Sequence, residues 1–208
     1  MAGKETTVKI FVVTDMEGCA GVLNSADWVI PSGRWYEKGL GILAGETNAV
    51  IAGLFDGGAD EIVVCDGHGI GGIAPTALDP RARLLRGLDR YPLGIDSSYA
   101  GVCWVGQHAK AGTPYSHLTH TCDFNRIDDS INGLSIGEYG EVGLCAREAG
   151  VPCIFGGGEE AFTKEAEALT PGMVTVSVKQ GLFPDGLDHL SAEEYRVAKL
   201  AALHLSPA

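Results

Sequence analysis

Short apolar runs recur along the chain at residues 8–14, 61–65, 101–105, 153–155 and 173–178, mostly valine and isoleucine, and are set off by glycine, acidic or turn residues. Runs of that length and composition read as strands buried on both faces. Between the first two, residues 34–55 place Trp35, Ile42, Ala49 and Leu54 on an apolar face, and Gly57-Gly58 supplies a helix stop. Further helices are predicted at about residues 138–149, 159–169 and 192–203. Strand–helix alternation of this kind predicts an α/β fold, with a mainly parallel sheet flanked by helices on both faces. Residues 121–136 break the rhythm. A polar, turn-like stretch from Asn125 to Asn132 precedes Gly133-Leu134-Ser135-Ile136-Gly137, which predicts a small appended hairpin or lobe leading into a helix. We expect one domain over residues 1–208, with a small subdomain from about residue 170 to 208.

Composition narrows the partners more than the fold. The 208 residues carry 27 acids against 15 bases, a formal net charge of -12, and 45% are hydrophobic. An acidic surface without a basic stripe repels phosphate backbones and anionic lipids, so neither nucleic acid nor membrane is an expected partner. The six cysteines lie scattered, without a CxxC pair, in runs such as Val63-Val64-Cys65 and Val102-Cys103-Trp104. They read as unpaired thiols in a reducing cytoplasm. The N-terminus lacks the pattern of a secretory signal, and no apolar stretch is long enough to span a bilayer.

Candidate chemistry gathers at the strand ends. The first run leads into Asp15-Met16-Glu17-Gly18, and in an extended segment Asp15 and Glu17 point the same way, so their carboxylates repel unless a cation or proton sits between them. Taken alone, the pair also fits two solvated loop acids. The second run ends Asp66-Gly67-His68 and the third ends Gly106-Gln107-His108, adding imidazoles at equivalent positions. Carboxylate with imidazole is the donor set of catalytic zinc, and manganese and cobalt share it. Glu138 adds a carboxylate on a face with Val142, Cys145 and Ala149, while Glu141 and Glu148 are expected to face solvent. His117 and His120 follow in one loop, and extended geometry lets at most one of them join a given site, as a proton carrier or oxyanion donor. His189, in a turn, and His204, at a predicted helix end, are read as structural or solvated. The glycine cluster from Gly67 to Gly72 is a weak match to a dinucleotide loop, since Pro75 interrupts the helix that would have to follow. The GxSxG letters at Gly133-Leu134-Ser135-Ile136-Gly137 fall in the predicted hairpin and not on a nucleophile elbow after a core strand, and P-loop and HExxH signatures are absent from the sequence.

Taken in order, Thr14-Asp15-Met16-Glu17-Gly18, Asp66-Gly67-His68, Gly106-Gln107-His108-Ala109-Lys110-Ala111-Gly112-Thr113-Pro114, Leu118-Thr119-His120-Thr121 and Ile136-Gly137-Glu138 resemble the DppA-type D-aminopeptidases, dinuclear zinc peptidases. The similarity runs on through Gly156-Gly157-Gly158-Glu159-Glu160 and Val178-Lys179-Gln180. The resemblance implies two zinc ions bridged by Asp15, with Glu17 and His108 on one ion and His68 and Glu138 on the other. It implies catalysis by His120, with His117 the alternative because the loop spacing differs. It also implies removal of N-terminal residues, D-residues in the founding type, from short peptides or aminoacyl amides, and homo-oligomers built as decamers of two five-membered rings. Chains of the founding type continue past the position of Ala208, so substrate choice and assembly are the least transferable of these expectations. Other readings of the residues are a different metal-dependent amidohydrolase, a phosphoesterase with Lys110 as its nearby cation, or a metal-binding subunit without turnover.

Overall fold

A computed structural model describes residues 7–88 and 90–206. Its elements run β1 Lys9–Thr14, α1 Ser25–Trp28, α2 Tyr36–Asp56, β2 Glu61–Asp66, β3 Arg83–Leu85, β4 Gly101–Gln107, β5 Asp129–Ile131, β6 Leu134–Ile136, α3 Glu138–Glu148, β7 Cys153–Glu159, α4 Glu160–Leu169, β8 Val174–Gly181, α5 Ala192–Ala198 and β9 Ala202–His204. Seven strands form one sheet in the order β3-β2-β1-β4-β7-β8-β9, parallel except for the β8–β9 pair.

The period-two alternation of strand side chains splits the core cleanly between the two faces. Phe11, Val13, Val63, Cys65, Val102 and Trp104 point to one side, where Tyr139, Val142 and Ala146 of α3 and Phe162 and Ala166 of α4 meet them. Ile10, Val12, Ile62, Val64, Cys103 and Val105 point to the other, covered by Leu43 and Ile51 of α2. Trp104, Tyr139 and Phe162 form a chain of edge-on rings at 4.8 and 5.6 Å. Hydrophobic coverage on both sides is what lets β1, β2 and β4 be apolar throughout, and it bears out the α/β expectation.

The five predicted strands all join this sheet. Two three-residue strands, β3 and β9, were not foreseen, and they lie at its edges. The helix expected over residues 192–203 stops at Ala198. Lys199 leaves helical geometry and turns inward to donate to the Thr113 carbonyl, and residues 202–204 then pair antiparallel with β8, so His204 stands on a strand instead of a helix end. The alternating Ala-Leu composition there suits either period, and α5, which buries no residue, offers no apolar face to extend. Its start is legible: Ser191 and Glu194 form a reciprocal capping box. The expected hairpin is present as β5–β6, turning at Asn132 and Gly133 with φ of +54° and +81°. Among the described residues, no helix is long and apolar enough to cross a membrane.

Candidate metal centre

The chain leaves β1 to build β2 and β3 on one side, then returns to place β4 on the other. Strand order therefore reverses between β1 and β4, and the crevice beyond their C-terminal ends is where open α/β sheets hold ligands. The loop after β1 is docked tightly there: Gly18 N–H donates to the Gly106 carbonyl at 2.7 Å. A Cβ on Gly18 would lie 2.0 Å from the Gln107 carbonyl oxygen, and one on Gly106, at φ +72°, 2.0 Å from that of Asp15. Only glycine permits this approach.

Asp15, Glu17, His68, His108, His120 and Glu138 meet in the crevice. His68 Nδ1 lies 3.1 Å from Asp15 Oδ1 and 3.2 Å from Glu17 Oε2. His108 Nε2 lies 3.1 Å from Asp15 Oδ2 and 3.5 Å from Glu138 Oε2. His120 Nε2 stands 4.0 Å from Glu17 and 3.9 Å from Glu138, with its ring stacked on that of His108 at 4.0 Å. One donor atom each from Asp15, Glu17 and His108 lie within 4.8 Å of one another, and so do those of His108, His120 and Glu138.

The far nitrogen of each imidazole is engaged by a main-chain carbonyl. His68 Nε2 faces Val29 at 3.2 Å, His108 Nδ1 faces Ala109 at 2.8 Å and His120 Nδ1 faces Leu118 at 2.9 Å. A carbonyl accepts only N–H, so the proton of each neutral ring is fixed outward and the lone pair is turned toward the carboxylates. That is how metal-binding histidines are held. Donor atoms inside the cluster are correspondingly unsatisfied: His108 Nε2 and Glu17 Oε2 are buried and hydrogen-bond to no described atom. His68 Nδ1 is hydrogen-bonded to Asp15 Oδ1, but His108 Nε2 approaches two carboxylates without hydrogen-bond alignment, as a donor does when it converges with others on a common point, so this set fits a metal site.

The electrostatics point the same way. Burial alone would raise the Asp15 carboxyl, but His108 and His68 outweigh it and hold it well below the usual range. Burial likewise opposes charge on His68, yet Glu17 and Asp15 drive its pKa up to about 12; His108 is raised by Glu138 and Asp15 despite complete burial. Glu138, lifted by burial, is brought down by His108. Asp15 and Glu138 are thus balanced by protons on His68 and His108, the positions a cation would take over.

A family profile described as D-aminopeptidase matches residues 8–203. The chain belongs to the D-aminopeptidase family. A D-aminopeptidase of Bacillus subtilis (strain 168) is 33% identical over 190 residues, covering 88% of this chain and 68% of that protein. The solved structure of the Zn-dependent D-aminopeptidase DppA from Bacillus subtilis, described as a self-compartmentalizing protease, superposes with a TM-score of 0.83 at 30% identity, over 96% of this chain and 68% of that one. The family resemblance drawn from the Asp-Met-Glu-Gly and His-Ala-Lys-Ala-Gly-Thr-Pro segments is borne out along nearly the whole chain.

Within this D-aminopeptidase family member, other candidates fall elsewhere. His117 is wholly buried on the far side of its loop, edge-on to His204 at 5.6 Å, and burial with Lys179 and His204 nearby depresses its pKa to about 2. Asp66 turns away from His68 to accept the Gly72 and Ile73 N–H groups at 2.8 and 3.1 Å and to meet Arg86 at 3.2 Å. The buried stripe of α3 runs through Tyr139, Val142 and Ala146, so Glu138 sits at its margin, where its Oε1 accepts the Cys122 N–H at 2.8 Å. Glu141 is half-buried rather than solvent-facing; only Glu148 is exposed. Gln107 escaped the sequence reading. Its amide donates to Asp15 Oδ2 at 3.2 Å and Glu138 Oε2 at 3.4 Å, a role that neighbouring His108 obscured. A cavity of about 290 Å³ opens beside the cluster, its lining including the polar Asp15, Gln107 and Glu138 and the largely apolar Leu88, Tyr91 and Leu93.

Proposed function

We propose that this chain is a dinuclear zinc aminopeptidase that removes N-terminal residues, D-residues among them, from short peptides or aminoacyl amides. The observation that carries the reading is the outward engagement of one nitrogen of each of three imidazoles by the Val29, Ala109 and Leu118 carbonyls, which turns the other nitrogen toward three carboxylates, where it becomes a lone-pair donor once its proton gives way to a metal. Asp15 would bridge, since its two oxygens face different imidazoles. Donor atoms of Asp15, Glu17 and His108 lie within reach of one another and would hold one ion; His68, which also stands against Glu17, would hold the other with Glu138, an assignment that rests on the family resemblance. Zinc supplies Lewis acidity toward the scissile carbonyl and makes hydroxide accessible at neutral pH, with ~7 a typical pKa for water in such sites.

The chain's own residues do the rest. The 290 Å³ cavity gives the N-terminal residue a seat lined by both polar and apolar side chains. His120, with Nδ1 held by Leu118 and Nε2 turned to the carboxylates, can accept a proton at Nε2 and return it to the leaving amine. His117 faces neither role from its buried position, which supports His120 as the catalytic residue. Lys110 gives its ammonium to Ser135 Oγ at 2.6 Å, so the phosphoesterase reading loses its nearby cation. All six thiols are free, in keeping with a reducing cytoplasm. We further propose a single folding unit that assembles with copies of itself, up to the decamer the resemblance implies. Exposed Val174, Val176, Leu203 and Leu205 on β8 and after it support such assembly.

The test is metal analysis with a substrate pair. Two zinc ions per chain, and faster release from D- than from L-alanyl p-nitroanilide, are expected. An Asp15→Ala protein that keeps both ions and full activity would overturn the assignment, and sedimentation analysis reads the assembly.

A further inference from the structure

Two sequence segments remain outside the reaction described above: Gly158-Glu159-Glu160 and Val178-Lys179-Gln180. The fold sets Glu159 opposite Lys179. They are register partners on β7 and β8, and the pairing skips one residue immediately before them, so that Lys179 instead of Val178 stands opposite the acid. A register shift of this kind re-aims a side chain, here into the protein. Glu159 is 0% and Lys179 2% exposed.

Neither side chain touches a donor atom of the metal centre. Lys179 Nζ donates to the main-chain carbonyl of Glu17, and Glu159 Oε1 accepts the main-chain N–H of His117. The acid therefore grips the loop that carries His120, the base grips the loop that carries Asp15 and Glu17, and the ladder of β7 and β8 joins them. Burying opposite charges is a poor way to gain stability, because desolvation offsets their attraction. Fixing two loops at a set spacing is a better account of such a pair.

We propose that Glu159 and Lys179 are positioning residues that set the acidic loop and the histidine loop relative to each other, and so govern zinc affinity and the placement of His120. The proposal rests on reading the Asp15–His120 cluster as a zinc centre. Residues that hold ligands from behind typically contribute ~10–100-fold in metal affinity or activity.

The test compares wild type, Lys179→Met and the double variant Lys179→Met with Glu159→Gln, each as the whole chain. The double variant removes the charge of Glu159 together with that of Lys179 and keeps an acceptor for His117, so it separates loss of the pair from the cost of leaving Glu159 charged and alone. Zinc affinity is read by competition with a chromophoric chelator, and metal-free stability by thermal melting. The expected result is a ~10–100-fold weaker zinc affinity in the double variant, with metal-free melting near wild type and, once zinc-saturated, a similar fall in kcat at unchanged KM. Wild-type zinc affinity in the double variant, or a loss of affinity matched by an equal loss of metal-free stability, overturns the proposal. A wild-type chain that binds zinc but cleaves no aminoacyl p-nitroanilide would sink the peptidase reading while the affinity comparison still decides this one.

Discussion

Zinc uptake should release protons. In the metal-free protein His68 is held protonated up to about 12 by Glu17 and Asp15, against the opposing effect of burial, and His108 is raised by Glu138 and Asp15 in the same way. On the proposed ligand assignment a metal would occupy their inward nitrogens, and each imidazole would give up one proton on binding. The sign follows directly: a raised folded pKa keeps the proton bound through neutral pH, protons compete with metal, and affinity climbs as pH rises. Two protons make the apparent affinity increase about 100-fold per pH unit, equivalent to ~2.7 kcal/mol. Calorimetric titration of metal-free protein at pH 7.5, repeated in buffers of different ionisation enthalpy, gives the proton count directly. About two is expected for wild type and about one for His68→Gln. A count near zero for wild type would mean that the imidazoles are already neutral without metal, and the charge balance drawn for the crevice would be wrong.

Replacing His120 by Asn should lower kcat by ~10²–10⁴ while leaving zinc content intact; a His117 variant with that profile would transfer the role instead. Gly106→Ala should lose at least ~2 kcal/mol by urea unfolding, because the left-handed backbone and the Asp15 carbonyl both exclude a Cβ. Phe162→Ala, which empties the junction of β7 with α3 and α4, should cost about 3–5 kcal/mol in the same assay. Acid should destabilise the fold through His117: its folded pKa of about 2 lies below the unfolded value near 6.5, so stability is full above pH 6.5 and falls by ~1.4 kcal/mol per pH unit below it. The His117→Asn variant should show a slope smaller by one proton.

The parts of the fold that bury continuous apolar surface were readable from one sequence. β1 and β2 lie within one residue of their valine and isoleucine runs and β4 runs two residues past its own, and α2, α3 and α4 begin and end within two residues of expectation. Three-residue β3 and β9 carry too few positions for any periodicity, and the four residues of α1 depend on Asn24 accepting from Asp27 N–H, which is a local contact without a pattern. For the site, side-chain chemistry at strand ends brought Asp15, Glu17, His68, His108 and Glu138 into one group, and the structure gathers the same five. Which of His117 and His120 faces the crevice depends on the actual turn of the loop, where Leu118 between them takes φ +56°. The inward course of Asp66 toward Gly72 was hidden for the same reason: a strand-end acid can serve a metal or its own loop, and the letters are identical.

The three carbonyls behind the imidazoles belong to Val29, Ala109 and Leu118, residues whose side chains have no part in the contact. A point mutation can delete a donor from this crevice, yet none at those positions can delete its partner, because every amino acid carries a carbonyl. The orientation of the histidines is therefore inherited with the backbone. Laboratory evolution of this chain could exchange metals, widen the cavity or alter its rim, and the proton inventory of the centre would carry over from variant to variant.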